Sequence, residues 1–417
     1  TVLLFHADFA GTVEQLRPFV QHLVCVGDAK APPWALPFDR LTATAGDAPI
    51  AVDVTDDDPY MILYTSGTTG RPKGAVTNLR SRWVTLFHVY ANELFVSPDD
   101  VMLHAASLAH GSGTKVLPFY LKGAANVLME RFHPAGFYRL VEQERVTATW
   151  LVPTTIGMLL DAAPEREQHD LTSLQTIIYA GAPMPTGRLQ EALKVFGPIF
   201  VQVYGLSEAP QPDLVLTKAD HAAGGPRLGS AGRPALGVQV RVAGPDDQDL
   251  PPGSAAIGEI LLKGDHVMTG YWEQPNATAE VFDAEGWFHT GDLARIDRDG
   301  FIHIVDRSKE LIISGGYNIY PREVEEALYQ HPAVAEAAVF GVPDPVWGEA
   351  VKACVALKPG RQTSAEELIA HCASLVAGYK KPRSVEFRDD LPKNPNGKIA
   401  KKVLRAPYWR DYDRQVN

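Results

Sequence analysis

The chain of 417 residues is 45% hydrophobic and 21% charged, enough apolar material for a large core in more than one domain and too little charge for wholesale disorder. A net charge of −11 argues against a broad nucleic-acid or anionic-membrane surface, because either needs an excess of cations. The three cysteines, Cys25, Cys354 and Cys372, show no CxxC or metal-ligand spacing, no apolar run reaches membrane-spanning length, and neither a signal peptide nor a C-terminal address is visible. The expectation is free thiols in a reducing, cytoplasmic setting.

Thr1 is not a methionine, and an apolar strand begins at once at 2–5; the expectation is that a preceding segment is missing. A helix is predicted near 12–22 and a strand at 23–26. The Pro/Ala/Asp-rich stretch 28–58 reads as a long surface connection. An apolar strand at 60–63 leads into a glycine-rich loop. A helix follows at 79–95, with Trp83, Leu86, Phe87 and Tyr90 at helical spacing. Strands at 102–104, 125–129, 148–152, 176–179 and 200–204 alternate with helical patterns at 137–144, 156–162 and 187–195, which predicts α/β layers on a largely parallel sheet. After about residue 224 the texture changes to short strands at 238–242, 258–263, 286–289 and 300–305. These predict a small β subdomain, about 225–305, for which a barrel-like closure is one arrangement. After 305 it changes again. A proline-initiated helix at 321, strands at 334–342 and 350–357, and a Ser364 capping box for a helix at 366–376 make a compact α+β module. The fold class is therefore α/β: a large domain, 1–307, of layered α/β subdomains plus the β subdomain, with a small mobile α+β C-terminal domain, 308–417.

The loop Tyr64-Thr65-Ser66-Gly67-Thr68-Thr69-Gly70-Arg71-Pro72-Lys73-Gly74-Ala75 concentrates small donors and two cations after a strand. Glycine-exposed N–H groups, hydroxyls and a lysine suit a polyphosphate. A P-loop needs Gly, four residues, then Gly-Lys-Ser/Thr; here Gly67 and Gly70 are too close and Gly74 follows the lysine, so that class is excluded.

The string nevertheless resembles the phosphate loop of the adenylate-forming superfamily, which includes acyl-CoA synthetases, 4-coumarate–CoA ligases, nonribosomal adenylation domains and luciferases. The resemblance continues in order through Ala180-Gly181-Ala182-Pro183-Met184, Val203-Tyr204-Gly205-Leu206-Ser207-Glu208, Gly286-Trp287-Phe288-His289-Thr290-Gly291-Asp292, Asp306-Arg307-Ser308-Lys309 and Pro392-Lys393-Asn394-Pro395-Asn396-Gly397-Lys398. It implies that Thr65, Ser66, Gly67, Thr68, Thr69, Gly70 and Lys73 hold the phosphates of ATP, and that Gly181, Ala182, Pro183, Tyr204 and Gly205 form the adenine side. Asp292 and Arg307 then serve the ribose and phosphate, and Glu208 with Thr65 carries Mg2+. Lys398 is the catalytic lysine, bridging the substrate carboxylate and the α-phosphate. Lys309 is the hinge, and Ser314, Gly315 and Gly316 border the path of the CoA arm. His110, in Leu108-Ala109-His110-Gly111-Ser112-Gly113, matches a position near the reacting carboxylate.

Each of these has a bland reading: a solvated acid for Glu208, a turn acid for Asp292, a surface cation for Arg307 or Lys398, a core ring for Tyr204, a structural imidazole for His110. The flanking strings outweigh it. No aspartate occurs between Asp100 and Asp161, where amino-acid-activating relatives place one, so an uncharged fatty or aromatic carboxylic acid is the expected substrate. The resemblance thus implies an acid–CoA ligase using ATP, Mg2+ and CoA. A carrier-loading acyl- or aryl-adenylating enzyme and a catalytically silent nucleotide-binding relative are the alternatives. A homodimer is one assembly compatible with this reading, which leaves the oligomeric state open.

Overall fold

The structure is a computed structural model describing residues 1–27, 30–65, 72–394 and 397–410. The chain divides into two compact units, Thr1–Thr55 and Asp56–Asn417.

The first unit is a three-stranded parallel sheet, Val2–His6, His22–Val26 and Leu36–Pro37, in that order. Phe5, Val13, Leu23 and Cys25 make its core, with Trp34 stacked on Phe5 at 5.5 Å. Two expectations are corrected here. The helix near 12–22 is shorter and displaced, Ala10–Glu14, with a separate turn at Arg17–Phe19; Pro18 has no N–H to extend it. The stretch 28–58 is not wholly a connection: Leu36–Pro37 pairs with Val24 and Cys25, and Phe38–Thr44 is helical. A two-residue strand is too short to carry an alternating pattern.

The second unit is built on a seven-stranded sheet. Its order is Arg233–Pro234, Leu214–Leu216, Phe200–Tyr204, Thr176–Tyr179, Ala148–Leu151, Val101–His104, Ala125–Leu128, and the last five are mutually parallel. Successive residues of the central strands point to opposite faces, and both faces are covered. Leu103, Leu151 and Ile177 meet the helices Pro134–Gln143, Pro153–Asp161 and Thr186–Phe196. Met102, Trp150 and Ile178 share the other core with Ala75, Ile260, Leu262 and Phe288. Ala75 belongs to a small antiparallel sheet of Gly270–Tyr271, Lys73–Asn78 and Pro59–Thr65.

The β subdomain is an open four-stranded antiparallel sheet, Gln239–Ala243, Gly258–Lys263, Phe288–Ile296 and Ile302–Arg307, so it does not close as a barrel. The strand expected at 286–289 starts later because Asp283 Oδ1 accepts from the N–H groups of Glu285 and Trp287 and turns the chain there. The C-terminal module has a sheet of Tyr317–Ile319, Ile312–Ser314, Gly348–Leu357 and Val334–Asp344, with Ser384–Phe387 parallel to Gly348–Leu357. The helices Pro321–Tyr329 and Ala365–Leu375 pack Val324, Leu328, Leu368 and Cys372 on one face; Leu391 and Leu404 cover the other. Ser364 caps the second helix through Glu367 N–H. Among the described residues no helix is long and apolar enough to cross a membrane.

Candidate active site

Tyr204 is the last residue of its strand, at the C-terminal edge of the parallel strands, where open α/β sheets receive ligands. Its hydroxyl donates to Asp292 Oδ2 at 2.6 Å, and Arg307 Nε donates to Asp292 Oδ1 at 3.0 Å. Asp292 and Arg307 are direct partners in the ladder between Phe288–Ile296 and Ile302–Arg307, so one strand register builds the acid–base pair. Burial, then the Asp292 charge, pushes the Tyr204 phenol well above its ordinary range, and the phenol remains a donor. The Asp292 carboxylate holds the Arg307 guanidinium cationic.

Lys398 reaches this group from the C-terminal module. Gly181 has φ of +87°, and a Cβ there would lie 3.1 Å from Lys398 Cε and 3.6 Å from Nζ; glycine leaves the lysine its path. Thr154 Oγ1 donates to the Gly397 carbonyl at 2.9 Å, and Asn394 Oδ1 accepts from Lys398 N–H at 3.0 Å. A second tie joins the same parts. Pro185 cannot cap the helix Thr186–Phe196 with its side chain, and Glu326 of the C-terminal module accepts from Thr186 N–H at 3.1 Å instead. Burial lowers the Lys398 pKa, the Arg307 charge lowers it further and Asp292 opposes. Burial and then Lys398 lower that of His110. His110 is thus a neutral imidazole near an ammonium, within the same site.

The phosphate-loop ends are also placed. Thr65 and Lys73 face each other across the hairpin, with Thr65 Oγ1 donating to the Lys73 carbonyl at 3.4 Å. The expected phosphate-binding residues Ser66, Gly67, Thr68, Thr69 and Gly70 lie outside the described residues. The Lys73 ammonium stands 4.8 Å above the Tyr271 ring, and the Tyr271 hydroxyl donates to Glu208 Oε1 at 3.0 Å. Tyr271 thus links the Glu208 carboxylate to the Lys73 side chain. One carboxylate plus the Thr65 hydroxyl is an all-oxygen donor set, which fits a hard cation such as Mg2+ that keeps most of its own water. Gly205 is required for close packing, since a Cβ would lie 2.6 Å from Gln211 N and Cα.

Ala182 and Pro183 follow Gly181 directly beyond the strand Thr176–Tyr179. Lys309 is exposed in the short turn Ser308–Glu310 between Arg307 and the C-terminal sheet. Ser314, Gly315 and Gly316 lie beside Trp347, whose carbonyl accepts from Gly315 N–H at 2.8 Å. They form a tight hairpin in which Gly315 and Gly316 have φ of +58° and +81°, so the turn by itself accounts for both glycines. Sequence reasoning missed Thr154, Glu326 and Tyr271. It also missed Asp306, buried and pushed up to about 6, which accepts from Arg322 N–H at 3.0 Å. Thr154, Glu326 and Tyr271 lie in no distinctive string, and Asp306 heads one that was read only for Arg307 and Lys309.

Two family models match. AMP-binding enzyme covers residues 3–272, and AMP-binding enzyme C-terminal domain covers residues 323–398. The chain belongs to the AMP-binding enzyme family, within the adenylate-forming superfamily, and is an AMP-forming ligase of the acyl-CoA synthetase type. It is 45% identical over 376 residues to a feruloyl-CoA synthase of Amycolatopsis sp, covering 89% of this chain and 74% of the relative. It is 39% identical to the medium/long-chain fatty-acid–CoA ligase FadD8 of Mycobacterium tuberculosis, covering 88% and 64%. Among solved structures, the amide bond synthetase McbA of Marinactinospora thermotolerans superposes with a TM-score of 0.87 at 30% identity, covering 98% of this chain and 80% of that one.

Proposed function

We propose that this chain is an acid–CoA ligase that activates an uncharged fatty or aromatic carboxylic acid. A carboxylate is a poor acyl donor, because its leaving group would be oxide. Attack of a carboxylate oxygen on the α-phosphorus of ATP forms the acyl-adenylate and releases pyrophosphate; the CoA thiol then takes the acyl group and AMP leaves. The observation that carries the reading is Lys398 lodged beside Gly181, in the electrostatic field of Arg307 and Asp292 and acting in turn on His110.

That cluster suits the first half-reaction. Asp292 accepts from the ribose hydroxyls and is held by Tyr204 and Arg307, with the Tyr204 ring offered to adenine. The Lys398 ammonium lies between carboxylate and α-phosphate, where it draws the two anions together and stabilises charge on the transferring phosphate. Neutral His110 orients the carboxylate without competing for it as a cation. Lys73, Thr65 and Ser66 to Gly70 grip the leaving pyrophosphate. Mg2+, held by Glu208 with Thr65, would neutralise phosphate charge when bound. For the second half-reaction, rotation of the small domain, 308–417, against the large one, 1–307, about Lys309 withdraws Lys398 and brings Ser314, Gly315 and Gly316 to the thiol's path. The buried thiols Cys25, Cys354 and Cys372 suit a reducing compartment, and we place the protein in the cytoplasm.

The test is carboxylate-dependent exchange of labelled pyrophosphate into ATP across fatty and aromatic acids, followed by acceptors: CoA, phosphopantetheinylated carrier proteins and simple amines. Exchange with an uncharged acid and turnover with CoA are expected. Exchange with no acid would contradict the reading, and turnover only with a carrier or an amine would overturn its second half.

A further inference from the structure

A buried ion pair joins the loop that carries Tyr204 and Glu208 to the segment facing it. Asp213 and His266 are both fully buried, and His266 Nε2 stands 2.9 Å from Asp213 Oδ1. Among the described residues neither the Asp213 carboxylate oxygens nor the His266 ring nitrogens have a hydrogen-bond partner elsewhere. A third buried ring, His88 of the helix Leu79–Asn92, packs on His266 with centroids 5.4 Å apart. Glycine at 264 leaves the imidazole its place, since a Cβ there would lie 2.9 Å from His266 Nδ1. Burial pushes the Asp213 carboxyl up to about 6, and His266 opposes the rise. Asp213 N–H donates to the Tyr204 carbonyl at 2.8 Å and closes the loop 204–213. From the facing segment, Met268 N–H donates to the Glu208 carbonyl at 2.7 Å, and the Tyr271 hydroxyl donates to Glu208 Oε1 at 3.0 Å. The N–H groups of Thr269 and Trp272 tie the same segment to the Val76 and Gly74 carbonyls, in the strand Lys73–Asn78. The segment 266–272 thus bridges the phosphate-loop strand and the Glu208 loop, and the contact of His266 with Asp213 is its buried charged tie to that loop.

A buried ion pair seldom adds net stability, because desolvation offsets the attraction; its best-attested use is to fix one arrangement of the parts it joins. Here those parts are the loop that bears Glu208 and the segment that bonds both its main chain and its carboxylate. Outer partners of this kind orient a metal-ligating carboxylate. Taken with the ligase reading above, on which this inference rests, we propose that Asp213 and His266 are positioning residues that hold Glu208 for the Mg2+ of the nucleotide. They act through Met268 and Tyr271, and neither is a catalytic residue.

The experiment titrates α,β-methylene-ATP calorimetrically into the full chain, once with Mg2+ and once with EDTA, and reads the gain in affinity that Mg2+ confers. His266→Leu is expected to cut that gain about tenfold while leaving the metal-free Kd within about twofold. His266→Gln, which can still donate to Asp213, should keep most of the gain. The double variant Asp213→Leu with His266→Leu leaves no unpaired buried charge; it serves where the single variant does not fold, and the same loss is expected of it. Equal weakening with and without Mg2+ would make the pair merely structural and overturn the proposal, as would a gain undiminished in the folded variants. A wild type that gains nothing from Mg2+ would instead contradict the Glu208 assignment in the ligase reading itself, and the positioning role would fall with it.

Discussion

Tyr204 does two jobs with one side chain. On the proposed reading its ring is offered to adenine, while its hydroxyl fixes Asp292, which Arg307 also holds. Removing a hydrogen bond to a buried carboxylate costs about 1–3 kcal/mol. Tyr204→Phe should therefore raise the KM for ATP roughly tenfold, measured by pyrophosphate exchange at saturating acid; an unchanged KM would show that Arg307 alone suffices to hold Asp292. Lys398 is already pulled below the ordinary lysine range by burial and Arg307. Exchange activity should accordingly decline on the alkaline side below pH 10.5, the ordinary lysine value, as the ammonium loses its proton. A pH profile flat to that value would contradict the assignment. At this scale Tyr204, Glu208, Asp292 and Lys398 were legible because each sits in a long, ordered string. Tyr271 and Thr154 were not, because a tyrosine and a threonine in ordinary surroundings acquire meaning only from what folding sets opposite them.

Among the elements, the C-terminal module is tied to the rest of its unit at two places that the sequence does not advertise. Glu326 stands in for the absent cap of Thr186–Phe196, and Thr154, in the first turn of Pro153–Asp161, holds the carbonyl next to Lys398. A single such hydrogen bond contributes about 1 kcal/mol. Thr154→Val should slow acyl-adenylate formation about fivefold while leaving thioester formation from supplied adenylate unchanged, since the second step needs Lys398 withdrawn. Rapid-quench measurement of the two half-reactions checks this, and an equal slowing of both would assign Thr154 a merely structural part. The strands of the seven-stranded sheet and the helices between them were readable from their apolar periodicity. The elements at 36–44 were not, because their backbone pairing leaves Leu36, Phe38 and Leu41 substantially exposed, with no buried stripe to read.

For the whole molecule, the layered α/β class and the separate α+β module follow from the order of strand and helix patterns, whereas the open edge of the β subdomain depends on pairings between distant segments. Buried histidines add a pH dependence. His221 is 2% exposed; its Nδ1 donates to the Thr217 carbonyl and its Nε2 lies 2.9 Å from the Tyr179 hydroxyl, and burial lowers its pKa to about 4 from 6.5. Below pH 6.5 the unfolded chain takes up a proton that the folded one refuses, so this contribution is present above 6.5 and is lost as pH falls towards 4. The stability difference between wild type and His221→Gln should shrink over that window by about 3 kcal/mol, read by denaturant unfolding at each pH; a difference constant with pH would contradict it. The account as a whole turns on Lys398, carried by one module into a site built by another. Its most direct test is to assay Lys398→Ala in both half-reactions. Acyl-adenylate formation should be largely abolished while CoA thioester formation from supplied acyl-adenylate survives in good part. Equal loss of both, or retention of the first, would contradict the central claim.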